Sequence, residues 1–170
     1  GSTRGGVAVA KSAADTVKRV AQELGGKSPN LIFADADLPV AAKQAVFAMM
    51  ENTGQSCNAP SRLLVEQSVY DEVVELLAAA VEKVQVGDPA KEGRHIGPLS
   101  SRMQFDKVQG LIQTGIDEGA RLLAGGTGRP DGLAQGYYCK PTIFVDANNQ
   151  MTIAREEIFG PVLVVIPFAD

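Results

Sequence analysis

The sequence predicts an α/β fold, an open, mostly parallel and doubly wound sheet. Short apolar segments alternate with amphipathic helical patterns along the chain, and this order is typical of such sheets. Residues 162–168 are apolar throughout, as expected of a central parallel strand buried on both faces. The length of 170 residues suits one domain with a sizeable core.

Four helices are expected, and two of them have clear starts. A helical pattern occupies residues 4–14, after an opening glycine-containing turn. A second begins at Asp37-Leu38-Pro39, with a capping aspartate and a proline in the first turn. Its apolar residues recur on one face, and Gly54 stands where a helix stop is expected: the face comprises Ala42, Ala45, Val46, Met49 and Met50.

The third and fourth helices are predicted from capping boxes. Ser68 with Asp71 precedes an apolar face that runs from Val73 to Val84. Ser101 with Gln104 precedes another apolar face, which continues to Gly119.

Strands are predicted between these helices. The segments are residues 30–33, 61–65, 121–124 and 138–145, the last interrupted by Pro141. Residues 125–136 are rich in glycine and proline and indicate a surface loop. Residues 16–24 are ambiguous, because the spacing of their apolar side chains suits a helix.

Composition narrows the class of protein. With 45% hydrophobic and 21% charged residues, the chain is typical of an ordered globular protein. A formal charge of −4 provides no basic surface for nucleic acid, and no apolar run has the length of a membrane span. We therefore expect no nucleic-acid or membrane partner. Two cysteines, Cys57 and Cys139, do not make a disulfide framework, so a reducing, cytoplasmic location is expected.

The strongest candidate for chemistry is the cysteine of the segment Thr53-Gly54-Gln55-Ser56-Cys57-Asn58-Ala59-Pro60-Ser61-Arg62. It lies in a polar turn between a predicted helix and a predicted strand, where a rigid scaffold presents reactive side chains. The alternative is a cysteine that serves as a small buried hydrophobe. Cys139, on a strand pattern, is expected to be packing of that kind.

Two further motifs accompany Cys57. They are Glu23-Leu24-Gly25-Gly26-Lys27-Ser28-Pro29-Asn30 and Glu156-Glu157-Ile158-Phe159-Gly160-Pro161-Val162. The three motifs, in this order, resemble the NAD(P)-dependent aldehyde dehydrogenase superfamily. The opening Gly1-Ser2-Thr3-Arg4-Gly5-Gly6 is similar to the phosphate-side turn of that family. The resemblance covers essentially the whole chain.

This resemblance implies the chemistry. Cys57 would be the nucleophile that converts an aldehyde into a thiohemiacetal and then a thioester. Glu23 would be the general base for thioester hydrolysis. Family members that transfer the acyl group to coenzyme A typically lack this glutamate, so a free carboxylic acid is the expected product.

The cofactor implied is NAD or NADP. Gly1, Ser2 and Gly6 would lie near its pyrophosphate at a helix start. Leu24 is also expected to be a cofactor-binding residue. Glu157 would accept hydrogen bonds from the nicotinamide ribose, and Phe159 would support the nicotinamide ring. Three alternatives stay open: a solvated acidic pair at residues 156–157, a core aromatic at 159, and an expression-vector remnant at residues 1–2.

The resemblance also implies an organisation and a strand. Residues 1–25 would be the C-terminal remnant of a cofactor-binding domain, and residues 26–170 an incomplete catalytic domain. Residues 16–24 would form a strand that runs into the turn at Gly25. The whole protein would be a homodimer or homotetramer.

Other readings remain. A cysteine hydrolase or acyltransferase usually needs a histidine, and His95, the only one, is expected in a loop. The chain alone could also be a folded but catalytically silent fragment. Asp35 and Asp37 resemble a carboxylate pair, but capping explains Asp37 and no metal site is expected.

Overall fold

The computed structural model describes residues 1–169. Its five strands are β1 (Pro29–Ile32), β2 (Arg62–Glu66), β3 (Arg121–Ala124), β4 (Thr142–Val145) and β5 (Val162–Phe168). They form one sheet in the order β1-β2-β5-β4-β3. All neighbours are parallel except β3, which runs antiparallel to β4. The predicted open, mostly parallel sheet is therefore confirmed.

Helices cover both faces of this sheet. They are α1 (Thr3–Ala14), α2 (Leu38–Met50), α3 (Tyr70–Val81), α4 (Arg102–Asp117) and α5 (Thr152–Arg155). Helices α2 and α3 pack in one apolar cluster on one face, and α4 and α5 pack in a second cluster on the other. The sheet is thus doubly wound. None of the helices within residues 1–169 has both the length and the apolar character that crossing a membrane requires.

Strand β5 is the centre of the core. Its first five residues are buried, and it pairs with β2 on one side and β4 on the other. Alternate side chains serve opposite faces, because successive residues of a strand point to opposite sides. Leu163 and Val165 join the cluster of α2 and α3, whereas Val164 and Ile166 join that of α4 and α5. This double burial explains the continuous apolar run.

Two predicted helix caps are correct, and one is wrong. The Asp37 side chain accepts from the N–H of Val40 at 3.2 Å and caps α2. The Ser101 hydroxyl caps α4. Ser68, by contrast, does not cap α3: its hydroxyl donates to the Glu66 carboxylate at 2.6 Å, and the helix begins at Tyr70. A charged acceptor gives the stronger hydrogen bond, so the hydroxyl is used there.

The strand expected at residues 16–24 is wrong. The chain leaves α1 through Val17, whose φ is 52° and which is 90% exposed, and no regular element follows before β1. A strand requires a neighbour for its backbone groups, and nothing in the described part of the chain pairs with this segment.

Two element boundaries also differ from expectation. Strand β4 begins only at Thr142, because Pro141 has no N–H to donate to a ladder. Helix α2 ends at Met50, before Gly54, and a 3-10 turn over Glu51–Gly54 follows it. Residues 52 and 53 in that turn have left-handed backbone, so the helix cannot continue.

Candidate active site

The sheet brings the three motifs together at one edge. Gly25 and Gly26 precede β1, Cys57 precedes β2, and the segment 157–159 precedes β5. These three strands are parallel neighbours, in the order β1-β2-β5. The amino ends of parallel neighbours lie at the same edge of a sheet, so segments far apart in sequence meet there.

Direct contacts join these segments. The N–H of Gly26 donates to Oε1 of Glu157 at 3.1 Å. A Cβ added at Gly26 would lie 3.0 Å from the carbonyl oxygen of Cys57, and one added at Gly25 would collide with the Glu157 carboxylate. Both glycines therefore allow the close approach of the three motifs.

An open cleft of about 470 Å³ lies between them. Cys57 is exposed. Five residues predicted for the site line the cleft together: Gly1, Ser2, Cys57, Glu157 and Phe159. A concave site of this volume, with a few polar groups beside an aromatic ring, is of the size that binds small molecules.

Three other predicted residues do not line this cleft. Glu23 is exposed, and its carbonyl oxygen accepts from the amino group of Gly1 at 2.7 Å. Gly6 is buried beneath Leu24, since a Cβ there would lie 2.8 Å from Leu24 Cδ2. The roles of these three residues remain predictions.

Side-chain hydrogen bonds fix the loop that carries Cys57. Oε1 of Gln55 accepts from the N–H of Ser100 at 2.9 Å. The Thr53 hydroxyl donates to the carbonyl oxygen of Gly97 at 3.0 Å. Both bonds tie the loop to the segment before α4 and so restrain the backbone that carries Cys57.

Lys27 is the most perturbed cation beside the site. Its Nζ donates to the carbonyl oxygen of Ile153 at 2.9 Å. Burial, together with the positive charge of Arg62, lowers the pKa of Lys27 to about 8, although Glu157 and Glu156 act in the opposite direction. The two carboxylates therefore offset only part of the cost of burying the charged ammonium beside Arg62.

Two residues that line the cleft, Gln104 and Lys107, lie outside all the motifs that the sequence singled out for the site. Both project from α4. Gln104 had a signal, the capping box with Ser101, but that pattern indicated a helix start and nothing more. No sequence pattern indicated that Lys107 would be a site residue.

The other cysteine and the histidine lie elsewhere. Cys139 is buried, its sulfur accepts from Gln109, and burial raises its pKa to about 11, so it is packing as predicted. His95 contacts the carbonyl oxygen of Asp88 at 2.8 Å and lines a different depression. It is not among the residues around Cys57, which leaves a histidine-activated thiol without support.

Comparison with known proteins identifies the family. The aldehyde dehydrogenase family profile matches residues 1–170. The chain is 58% identical to 3-succinoylsemialdehyde-pyridine dehydrogenase from a Pseudomonas species, over all of this chain and 36% of that protein. The chain therefore belongs to the aldehyde dehydrogenase family, as the sequence motifs predicted.

Solved structures agree. An aldehyde dehydrogenase from Bartonella henselae superposes with a TM-score of 0.96 at 53% identity, over 99% of this chain and 35% of that one. A variant of aldehyde dehydrogenase C from Pseudomonas syringae, in complex with NAD+ and octanal, superposes with a TM-score of 0.97 at 48% identity, again over 99% and 35%. The chain thus spans about a third of the length of the proteins it matches.

Proposed function

We propose that this chain supplies the nucleophile and part of the cofactor site of an enzyme that oxidises an aldehyde to a carboxylic acid with NAD or NADP. One observation carries the proposal: exposed Cys57 shares a cleft with Glu157 and Phe159. Family membership supports it. We assign the activity to the whole enzyme, because this chain covers only 36% of the Pseudomonas relative.

The residues around the cleft fit a nicotinamide dinucleotide. The Glu157 carboxylate, anchored on Gly26, offers acceptors for ribose hydroxyls. The Phe159 ring offers an apolar surface in the same cleft. Gly1 and Ser2 lie at the start of α1, where helix N–H groups favour an anion. The relative from Pseudomonas syringae was solved as a complex with NAD+, which supports this assignment.

The proposed reaction begins at Cys57. Its thiolate forms a C–S bond to the aldehyde carbon, and the carbonyl electron pair moves to oxygen, giving a thiohemiacetal. Backbone N–H groups beside Cys57 would stabilise that oxyanion. Bound NAD(P)+ would supply the hydride acceptor needed to reach the thioester.

Hydrolysis completes the proposed cycle. Water attacks the thioester carbon, Glu23 accepts the proton, the C–S bond breaks, and the acid leaves while the thiolate of Cys57 is restored. Glu23 is exposed and lies two positions before Gly25, which lines the cleft, and we propose that its side chain reaches the site during hydrolysis.

The organisation we propose follows the same family. Residues 1–25 belong to the end of the cofactor-binding domain and residues 26–170 to the catalytic domain. We assign the substrate only as an aldehyde, because the aldehydes associated with the relatives named above differ widely beyond the aldehyde group. One relative binds octanal, and another is named for a pyridine semialdehyde. We propose a homodimer or homotetramer for the whole enzyme.

Absorbance of reduced nicotinamide tests this function. The whole enzyme, mixed with an aldehyde and NAD+ or NADP+, should produce it steadily, and Cys57→Ala should abolish production while leaving cofactor binding nearly intact. Cys139→Ala is the matched control, because that thiol is buried away from the cleft and should not be needed. Substantial turnover by Cys57→Ala would contradict the proposal. A cysteine hydrolase would act without any change in this absorbance.

A further inference from the structure

The backbone of Phe159 adopts a conformation that needs support. Its φ is 58°, in the left-handed region. This region is costly for a residue with a bulky side chain, and such residues keep it only where the surroundings impose it. Phe159 also lines the cleft beside Cys57, so its conformation decides where the ring stands.

Helix α4 supplies the support. A single side-chain nitrogen, Nε2 of Gln104, donates to the carbonyl oxygen of Ile158 at 2.9 Å and to that of Phe159 at 2.8 Å. An amide nitrogen carries two hydrogens, so both are used. One turn further on, Nζ of Lys107 donates to the carbonyl oxygen of Glu157 at 2.7 Å. Three successive carbonyl groups are thus held by one face of α4.

The glycine that follows Phe159 is confined as well. A Cβ added at Gly160 would lie 2.6 Å from Cγ2 of Val108, also on α4. A Cβ added at Gly54, in the loop of Cys57, would collide with the Gly160 carbonyl. The turn after Phe159 is therefore packed between α4 and the nucleophile loop.

Only the serine half of the capping box predicted at the start of α4 is formed. The Ser101 hydroxyl accepts from the backbone N–H of Gln104 at 3.2 Å. In a full capping box the side chain at this position would turn back to the helix start. Here it turns to the strained segment instead.

We propose that Gln104 is a positioning residue, which holds residues 158–159 so that the Phe159 ring and the Glu157 carboxylate face Cys57. This inference rests on the proposed function, because it assigns a purpose to the geometry of the proposed cofactor site. Gln104 acts through the backbone of Phe159.

Two measurements on the whole enzyme test it together. Gln104→Met removes both donated hydrogen bonds without adding charge. Gln113→Met is the matched control, on the same helix, since Gln113 is exposed and bonds only to Asp117. The measurements are the KM for NAD+ against kcat, and amide hydrogen exchange of a peptide covering residues 157–162.

We expect Gln104→Met to raise the KM for NAD+ by about tenfold, with a smaller change in kcat, and to accelerate exchange in that peptide. Gln113→Met should change neither. If Gln104→Met fails to fold, Gln104→Glu takes its place. Its ionised carboxylate cannot donate, so its KM should fall towards the wild-type value at low pH, where the protonated acid donates again.

Unchanged exchange or an unchanged KM overturns the inference. Unchanged exchange with a raised KM would mean that Gln104 acts without holding the backbone. Faster exchange with an unchanged KM would mean that the site tolerates the movement. A whole enzyme that oxidises aldehydes with neither NAD+ nor NADP+ would refute the proposed function, and the exchange data alone would then decide whether Gln104 holds Phe159.

Discussion

The backbone N–H of Gly26 donates to the carboxylate of Glu157 at 3.1 Å, across 131 positions of sequence. One residue precedes β1 and the other precedes β5, and β2 lies between these strands. The site therefore depends on the sheet order. In open α/β sheets, ligands are usually expected beyond the carboxyl ends of strands, whereas these motifs meet at the amino ends.

Gly25→Ala should weaken cofactor binding in the whole enzyme. The added Cβ would collide with the Glu157 carboxylate, which must then leave its place on Gly26. We expect the KM for NAD+ to rise by about tenfold, as for loss of one charged hydrogen bond. Steady-state kinetics at saturating aldehyde measures it.

Gly110→Ala is the control for that substitution. Gly110 lies in α4, and a Cβ there would meet nothing within 4 Å. Alanine should stabilise the helix by about 0.5–1 kcal/mol and leave the KM unchanged. A wild-type KM for Gly25→Ala would show that the Glu157 carboxylate is not needed where the structure places it.

The two thiols of the chain should differ sharply in reactivity. Cys57 is exposed, whereas Cys139 is buried and its pKa is raised to about 11. Iodoacetamide at mildly alkaline pH should therefore modify Cys57 in the folded chain and Cys139 only after denaturation. Peptide mass spectrometry distinguishes the two sites. Equal modification of both thiols in the folded chain would contradict the burial of Cys139.

Lys27 should make the stability of the chain depend on alkaline pH. Its pKa is about 8 in the folded chain and 10.5 ordinarily. Below pH 8 the ammonium is charged in both states, and its burial opposes folding. Between about pH 8 and pH 10.5 only the unfolded chain keeps the proton, so the free energy of unfolding rises with pH.

Urea unfolding of the wild type and of Lys27→Met measures this dependence. Groups common to both chains cancel in the difference between their free energies of unfolding. That difference should move in favour of the wild type by on the order of 1 kcal/mol from about pH 7 to about pH 9.5. A difference that stays flat would show that the Lys27 ammonium is not disfavoured in the fold.

The parts of the fold that sequence predicts are those set by local pattern and burial. Strand β5 is apolar because both faces are covered, and α2 begins at a capping aspartate, so both are predictable. The strand at residues 16–24 fails because a strand depends on a neighbour, which local sequence does not specify.

The site likewise contains some residues that the sequence predicts and others that it does not. Cys57, Glu157 and Phe159 lie in motifs that resemble a known family, so their positions could be predicted before the structure. Gln104 could not, because its function depends on where α4 packs relative to the Phe159 carbonyl. A glutamine after a capping serine indicates only a helix start.

Trapping of an acyl-enzyme tests the central claim, that Cys57 carries the substrate. In the whole enzyme, Glu23→Gln should pass through thioester formation and then stall, because hydrolysis lacks its base. Mixing it with aldehyde and NAD+ should give a burst of about one reduced nicotinamide per site. Mass spectrometry should then find the acyl group on the peptide containing Cys57. Steady turnover without a burst, and with no acyl group on Cys57, would contradict the account.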